Sequence, residues 1–200
     1  MTTSAMAPPT GDSGARIRLR AWRESDLAQL AELHADPAAM RHFVAPLTRT
    51  ESDAFAARMQ AHIAAHGWGF WPVEDIASAR FVGVVGLLRI SWHARFTPAV
   101  EIGWRIAPAH QRRGYAREAA RMVLRFGFQQ LRLPEIVAFT IPANVSSLRL
   151  MESLGMVADG SFDHPRLPEG HAMRPHLLYR LTAAAHAAGD GLFTPAPRSG

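Results

Sequence analysis

The stretch Gln111-Arg112-Arg113-Gly114-Tyr115-Ala116 carries residue types that hold phosphate. It lies between an apolar strand-like run, Val100 to Ile106, and a long pattern of helical period. Gly114 lets the main chain approach a ligand closely. Peptide N–H groups at a helix start lack partners, and the helix dipole adds about half a positive charge there. Arg112 and Arg113 supply forked donors that match phosphate oxygens. The residues therefore read as a cradle for a phosphate-bearing ligand.

Glu101 is a carboxylate inside the preceding run, pointing away from Val100 and Ile102. It can take a proton or orient an amine, directly or through water. The plainer reading pairs it with an arginine such as Arg105. Asn144 opens a later helix, either as its cap or as a ligand contact, and the Ser147 hydroxyl one turn on can donate a hydrogen bond. His62 and His66 stand four apart, as metal ligands do on a helix. Ile63, however, holds the place of a metalloprotease glutamate, and no third ligand is evident, so no metal is expected. Structural burial with Phe55 and Met59 is the expectation for this pair, with a pocket wall as the alternative. His93, after Trp92, is a second base candidate, and Trp68 and Trp71 read as core or pocket wall.

The 200 residues, 48% hydrophobic, suffice for one domain with a real core. No run of about 18 apolar residues occurs, so no membrane partner is expected. The cysteine count of 0 removes disulfides, thiol nucleophiles and thiolate metal sites. All 22 basic residues are arginine, which removes Schiff-base chemistry and the lysine of nucleotide-hydrolysing phosphate loops. The net charge is +5, yet the arginines are spread rather than clustered, so no nucleic-acid partner is expected. Residues 1–15 lack a secretory pattern and read as a disordered tail, with the cytoplasm as the expected location. Residues 183–200 read as a second disordered tail.

The elements that must position these groups follow from periodicity. Ile17 to Trp22 alternates as a strand, and Ser25 caps a helix that Pro37 ends. Thr50 with Asp53 resembles a capping pair opening a second helix, closed at Gly67. Strands are predicted over Phe70 to Glu74, Arg80 to Ile90 and Ala99 to Ile106. After Gly114 comes an amphipathic helix with an arginine stripe at Arg117, Arg121 and Arg125. A strand from Glu135 to Ile141, a helix from Asn144 to Leu154, and strands over Met156 to Phe162 and Met173 to Leu181 complete the order. One strand-helix-strand unit implies a parallel pair among antiparallel neighbours.

In this order the chain resembles the GNAT superfamily of N-acetyltransferases over roughly Ile17 to Thr182. The marks are Ile17-Arg18-Leu19-Arg20 with Trp22, Val82-Gly83-Val84-Val85-Gly86-Leu87, Val100-Glu101-Ile102-Gly103-Trp104, Gln111 to Ala116, Asn144-Val145-Ser146-Ser147, and Glu152-Ser153-Leu154-Gly155-Met156. The nearest resemblance is to the branch containing ribosomal-protein N-terminal acetyltransferases.

That resemblance implies an α+β, GNAT-like domain over residues 16–182. Its central sheet is mostly antiparallel with one splayed parallel pair, flanked by about four helices. It implies acetyl-CoA as co-substrate, its pyrophosphate held by Gln111, Arg112, Arg113, Gly114, Tyr115 and Ala116. Pantetheine would enter beside a bulged strand end at Trp104 to Ile106, with Asn144 and Ser147 opposite. Glu101 would be the proton acceptor, and because Met151 stands where many members place a tyrosine, the acid would be Ser147, water or none at all. The implied reaction is direct attack by an amine in a ternary complex, with a protein N-terminus as acceptor and a small amine or antibiotic as the alternative. A non-catalytic acyl-CoA-binding module is the second class. A monomer or homodimer is expected.

Overall fold

The computed structural model describes residues 6–190. Its elements are β1 (Ile17–Leu19), α1 (Ser25–Ala35), α2 (Pro37–Met40), α3 (Arg49–His66), β2 (Phe70–Asp75), β3 (Phe81–Arg89), β4 (Val100–Ile106), α4 (Tyr115–Gln129), β5 (Glu135–Thr140), α5 (Val145–Ser153), β6 (Val157–Asp163), β7 (Pro175–Thr182) and α6 (Ala183–Asp190). The strands form one sheet in the order β1-β2-β3-β4-β5-β7-β6. Only the β4–β5 pair is parallel, and it carries a single registered pair, Glu101 with Val137. Beyond that point the strands diverge. The expected bulge is not in β4, whose register with β3 runs unbroken from Arg89↔Val100 to Gly83↔Ile106. The shift falls in β2, between Val73 and Glu74. Divergence from β5, rather than an extra residue in β4, opens the cleft.

Alternation along β4 sends its residues to two different cores. Ile102 and Ile106 pack with Ala119, Ala120, Val123, Leu124 and Phe126 of α4, and Trp104 leans on the same cluster. Each fully buried side chain of this kind stabilises the fold by about 1.5–3 kcal/mol. The other face is covered in two parts. Leu30, Leu33, Phe55 and Met59 of α1 and α3 meet Phe70, Phe81 and Val84. Phe96, Val137 and Leu178, with Trp92, Phe139 and Phe162, form a separate cluster beyond β4. Glu101, Gly103 and Arg105 lie on the strip between them.

Three local expectations are corrected. The capping box of α3 is Thr48 with Glu51 rather than Thr50 with Asp53, because Asp53 pairs with Arg49 one turn away. Ser25 caps nothing; the residue before α1 is Glu24, without a side-chain cap bond. Residues 183–190 form a helix instead of a loose tail, as an alanine run favours. With the short α2, this makes six α-helices among the described residues, against about four expected.

The described part of the N-terminal tail is also tied down. Arg125 binds Asp12 at 2.7 Å and the carbonyl of Thr10 at 3.0 Å, so it is not simply part of a solvated stripe. Residues 1–5 and 191–200, the rest of the predicted tails, lie outside the described residues. Among the described residues no helix is long and apolar enough to cross a membrane.

Candidate active site

The cradle stands at the C-terminal end of β4. Gly114 is the N-cap of α4 at φ 82, in the left-handed region that glycine enters without a Cβ penalty. Arg112 also has positive φ, at 59. No side chain caps α4, and the N–H groups of Tyr115, Ala116 and Arg117 have no acceptor among the described residues. These orphan donors suit phosphate oxygens. A Cβ on Gly114 would meet the Arg16 guanidinium at 3.1 Å, so Arg16 also borders the cradle. Arg16 is fixed by Glu118 at 2.9 Å and donates to the carbonyl of Arg113 at 3.0 Å. No local pattern points to Arg16, about a hundred residues away along the chain.

The other cradle residues divide by role. Gln111 donates to the carbonyl of Ile106 at 2.9 Å, tying the loop to the end of β4. The Tyr115 side chain turns inward and its hydroxyl donates to Asp75, leaving only its main chain at the cradle. Asp75 is held at about 2, first by that bond and then by the N–H and hydroxyl of Ser78. Arg112 and Arg113 are exposed, and Ala116 is half-buried against the α4 core.

Across the cleft, Asn144 accepts from the N–H of Ser147 at 3.3 Å and donates to Thr140 at 2.9 Å. It is thus the cap of α5 and a brace to β5. The Trp104 indole donates to Oγ of Ser147 at 3.2 Å. Met151 is sealed in the core, 1% exposed. The chain's 2 tyrosines are both engaged elsewhere, Tyr115 with Asp75 and Tyr179 with Glu152 at 3.1 Å.

Glu101 lies between Leu88 of β3 and Val137 of β5 in register. These apolar neighbours desolvate its carboxylate and push its pKa up to about 7, against the pull of Arg166 and Arg105. It accepts no hydrogen bond and makes no ion pair among the described residues. The alternative, a Glu101–Arg105 ion pair, is therefore not made. Arg105 instead donates to Nε2 of His34 at 2.8 Å. Gly103, between them, has the Phe70 ring where a Cβ would be, 2.8 Å away.

The remaining histidine candidates stand apart from this strip. Nδ1 of His62 donates to the carbonyl of Trp68 at 2.8 Å, and Nε2 accepts from the N–H of Arg89 at 3.4 Å. Its ring lies 4.5 Å from that of His66. With both nitrogens engaged, His62 closes the turn into β2. His93 is exposed in the segment between β3 and β4. The acidic residues at the start of α3 are also spent, Glu51 in the capping box and Asp53 on Arg49.

An open seven-stranded sheet with a single parallel pair, β4–β5, is the fold shared with solved GNAT-family acetyltransferases. A family model described as an acetyltransferase (GNAT) domain matches residues 16–157. The chain belongs to this family and is an N-acetyltransferase. It is 30% identical over 142 residues to the uncharacterized protein YkkB of Bacillus subtilis, covering 70% of this chain and 81% of the relative. A GNAT-family acetyltransferase from Bacillus anthracis superposes at TM-score 0.70 with 26% identity, over 92% of this chain and 99% of its own. The spermidine N-acetyltransferase of Vibrio cholerae, solved with CoA and spermine, superposes at TM-score 0.68 with 24% identity, over 86% and 98%. None of these is named as an acetyltransferase of ribosomal proteins, so the resemblance to that branch is not supported.

Proposed function

We propose that the chain acetylates an amine by direct attack on acetyl-CoA, with Glu101 as proton acceptor. The observation that carries this reading is a carboxylate with a pKa of about 7 and no hydrogen-bond or ion-pair partner among the described residues, at the single registered pair of β4 and β5. An attacking amine must be neutral, and α-amino and lysine-type amines have pKa values of about 8 and 10.4. A base near neutrality can take the proton as the bond to the acetyl carbon forms.

The family uses acetyl-CoA, and the residues present fit it. The open N–H groups of α4, with Arg16, Arg112 and Arg113, would hold the pyrophosphate. The edges of Trp104 to Ile106 and Phe139 to Thr140, unpaired with each other, would take the pantetheine arm. A main-chain N–H on β4 would stabilise the developing oxyanion. Ser147, on the far wall, would meet the departing sulfur.

The acceptor is read as a small amine. The solved Vibrio cholerae neighbour, which carries spermine beside CoA, supports that class. A protein N-terminus, in a cytoplasmic monomer or homodimer, is the second reading. Thiol release from acetyl-CoA, followed across small amines and N-terminal peptides, tests both. Transfer to peptides alone would reject the small-amine reading, and release without an acetylated product would reject acetyl transfer.

A further inference from the structure

Arg105 is held in place by aromatic rings and a buried histidine rather than by a carboxylate. It shares the strip of Glu101, four positions along β4, and belongs to the face opposite α4. Its guanidinium lies over the rings of Phe43 at 4.4 Å and Phe55 at 4.5 Å. Arginine only donates, so Nε2 of His34 must accept and Nδ1 must carry the proton that goes to Ser52 at 2.9 Å. His34 and Ser52 are fully buried, 0% exposed. Two helices therefore fix one guanidinium nitrogen and its plane.

The rest of that guanidinium has no partner among the described residues. Arg105 is half-buried, its other nitrogens keep some access to solvent, and burial lowers its pKa to about 10. Neither Glu101 nor any other carboxylate reaches it. The charges acting on Arg105 are Arg58 and Glu101, and those acting on Glu101 are Arg166 and Arg105. Arg105 and Arg166 thus act on Glu101, and Arg58 adds positive charge beside Arg105. A fixed, uncompensated guanidinium recognises a carboxylate or phosphate, and the same surplus repels a polycation.

We propose that Arg105, set by His34, Ser52, Phe43 and Phe55, binds an anionic group on the acceptor, whose amine lies at Glu101. This rests on the proposed function, and it names the substrate class as amines that carry a carboxylate or phosphate several bonds away. Polyamines are excluded. The phosphates of acetyl-CoA are not the occupant, because the cradle borders α4 and Arg105 faces α1 and α3.

The test uses β-alanine, γ-aminobutyrate and ε-aminohexanoate, each beside its amide and the diamine of equal length, at matched neutral-amine concentrations. One of the amino acids should show kcat/KM about tenfold or more above its amide and diamine. Arg105→Gln should erase that preference while leaving the KM for acetyl-CoA unchanged. Diamines or amides used as well as the amino acids by the wild type overturn the proposal, whatever the variant does. So does a variant whose main defect is in acetyl-CoA KM. Calorimetry of the same amines with coenzyme A present separates the two readings. Arg105-dependent binding without transfer sinks the role of Glu101 and keeps this receptor, whereas equal binding of the diamines sinks the receptor alone.

Discussion

The indole N–H of Trp104 on β4 donates to the hydroxyl oxygen of Ser147 on α5, at 3.2 Å. This bond joins the two walls of the cleft where β4 and β5 have parted. It uses an acceptor lone pair of Ser147 and leaves the hydroxyl proton free to point at a sulfur between the walls. A departing thiolate with a pKa near the thiol value of about 8.5 needs little protonation at neutral pH. On the proposed reading Ser147 would then be a hydrogen-bond donor to the leaving group rather than a strong acid. Ser147→Ala should lower kcat by about tenfold or less, and Ser147→Thr should retain activity. A loss of a thousandfold in stopped-flow thiol release would restore an obligatory acid.

Glu101 has a larger predicted effect. Glu101→Gln should lower kcat by about a hundredfold or more, with acetyl-CoA affinity little changed by calorimetry. The base must be deprotonated to act, so the wild-type rate rises with pH through about 7, and the variant lacks that limb. Arg166 draws the Glu101 pKa down, so Arg166→Gln should move the limb to higher pH. Identical pH profiles in wild type and Glu101→Gln would remove the carboxylate from the mechanism.

The cradle is tested at Gly114. A valine there needs a β-branched residue at φ 82 and brings a Cβ to 3.1 Å from Arg16. Gly114→Val should raise the dissociation constant for acetyl-CoA by about tenfold or more, while saturated turnover falls less. Unaltered coenzyme binding would show that the phosphates lie elsewhere.

The sequence was most legible where local pattern and tertiary role agree. The α4 periodicity, the glycine before it and the Asn144 cap appear where periodicity and capping chemistry place them. The α3 start was ambiguous because Thr48-x-x-Glu51 and Thr50-x-x-Asp53 satisfy the same pattern two residues apart. Glu51 reaches back to the N–H of Thr48 at 2.8 Å, while Arg49 takes Asp53. What the chain does not display is partnership across distance. Nothing local says that Arg105 turns to His34 rather than Glu101, or that Arg16 borders the cradle, because both depend on sheet order.

Another such partnership predicts a large stability effect. The Glu74 side chain is 0% exposed and receives Arg20 and Arg23 at 2.5 and 2.8 Å, with Arg18 also bound. Burial works to raise its pKa, but the bonds from Arg20 and Arg18 prevail and hold it below the usual range. Arg18 and Arg23 remain about half exposed and contribute less than Arg20, which also binds Asp26 at 2.7 Å. Glu74→Gln removes the carboxylate that three arginines share, and with Arg20 still held by Asp26 it should cost about 1–3 kcal/mol in urea unfolding. A cost below about 1 kcal/mol would mean that water reaches the cluster.

Acid should weaken the fold through two buried histidines, although Glu101, raised to about 7, takes up a proton in the folded state over the same range and offsets part of the loss. Burial, aided by the charge of Arg105, lowers His34 to about 4 from its ordinary 6.5. His164 is lowered to about 4 as well, by burial and then by His176 and Arg166. Between those values the unfolded chain binds protons that the folded chain refuses, so stability increases with pH across that window. The contribution is complete above 6.5 and is lost progressively as pH falls towards 4. Urea midpoints should therefore drop between about pH 7 and pH 5, and His34→Gln should flatten the slope even if it lowers the midpoint at neutral pH. An equal slope in wild type and variant would mean that His34 already carries a proton in the folded state. Its Nε2 could then not accept from Arg105, and the hydrogen bond that sets the guanidinium would be wrongly assigned.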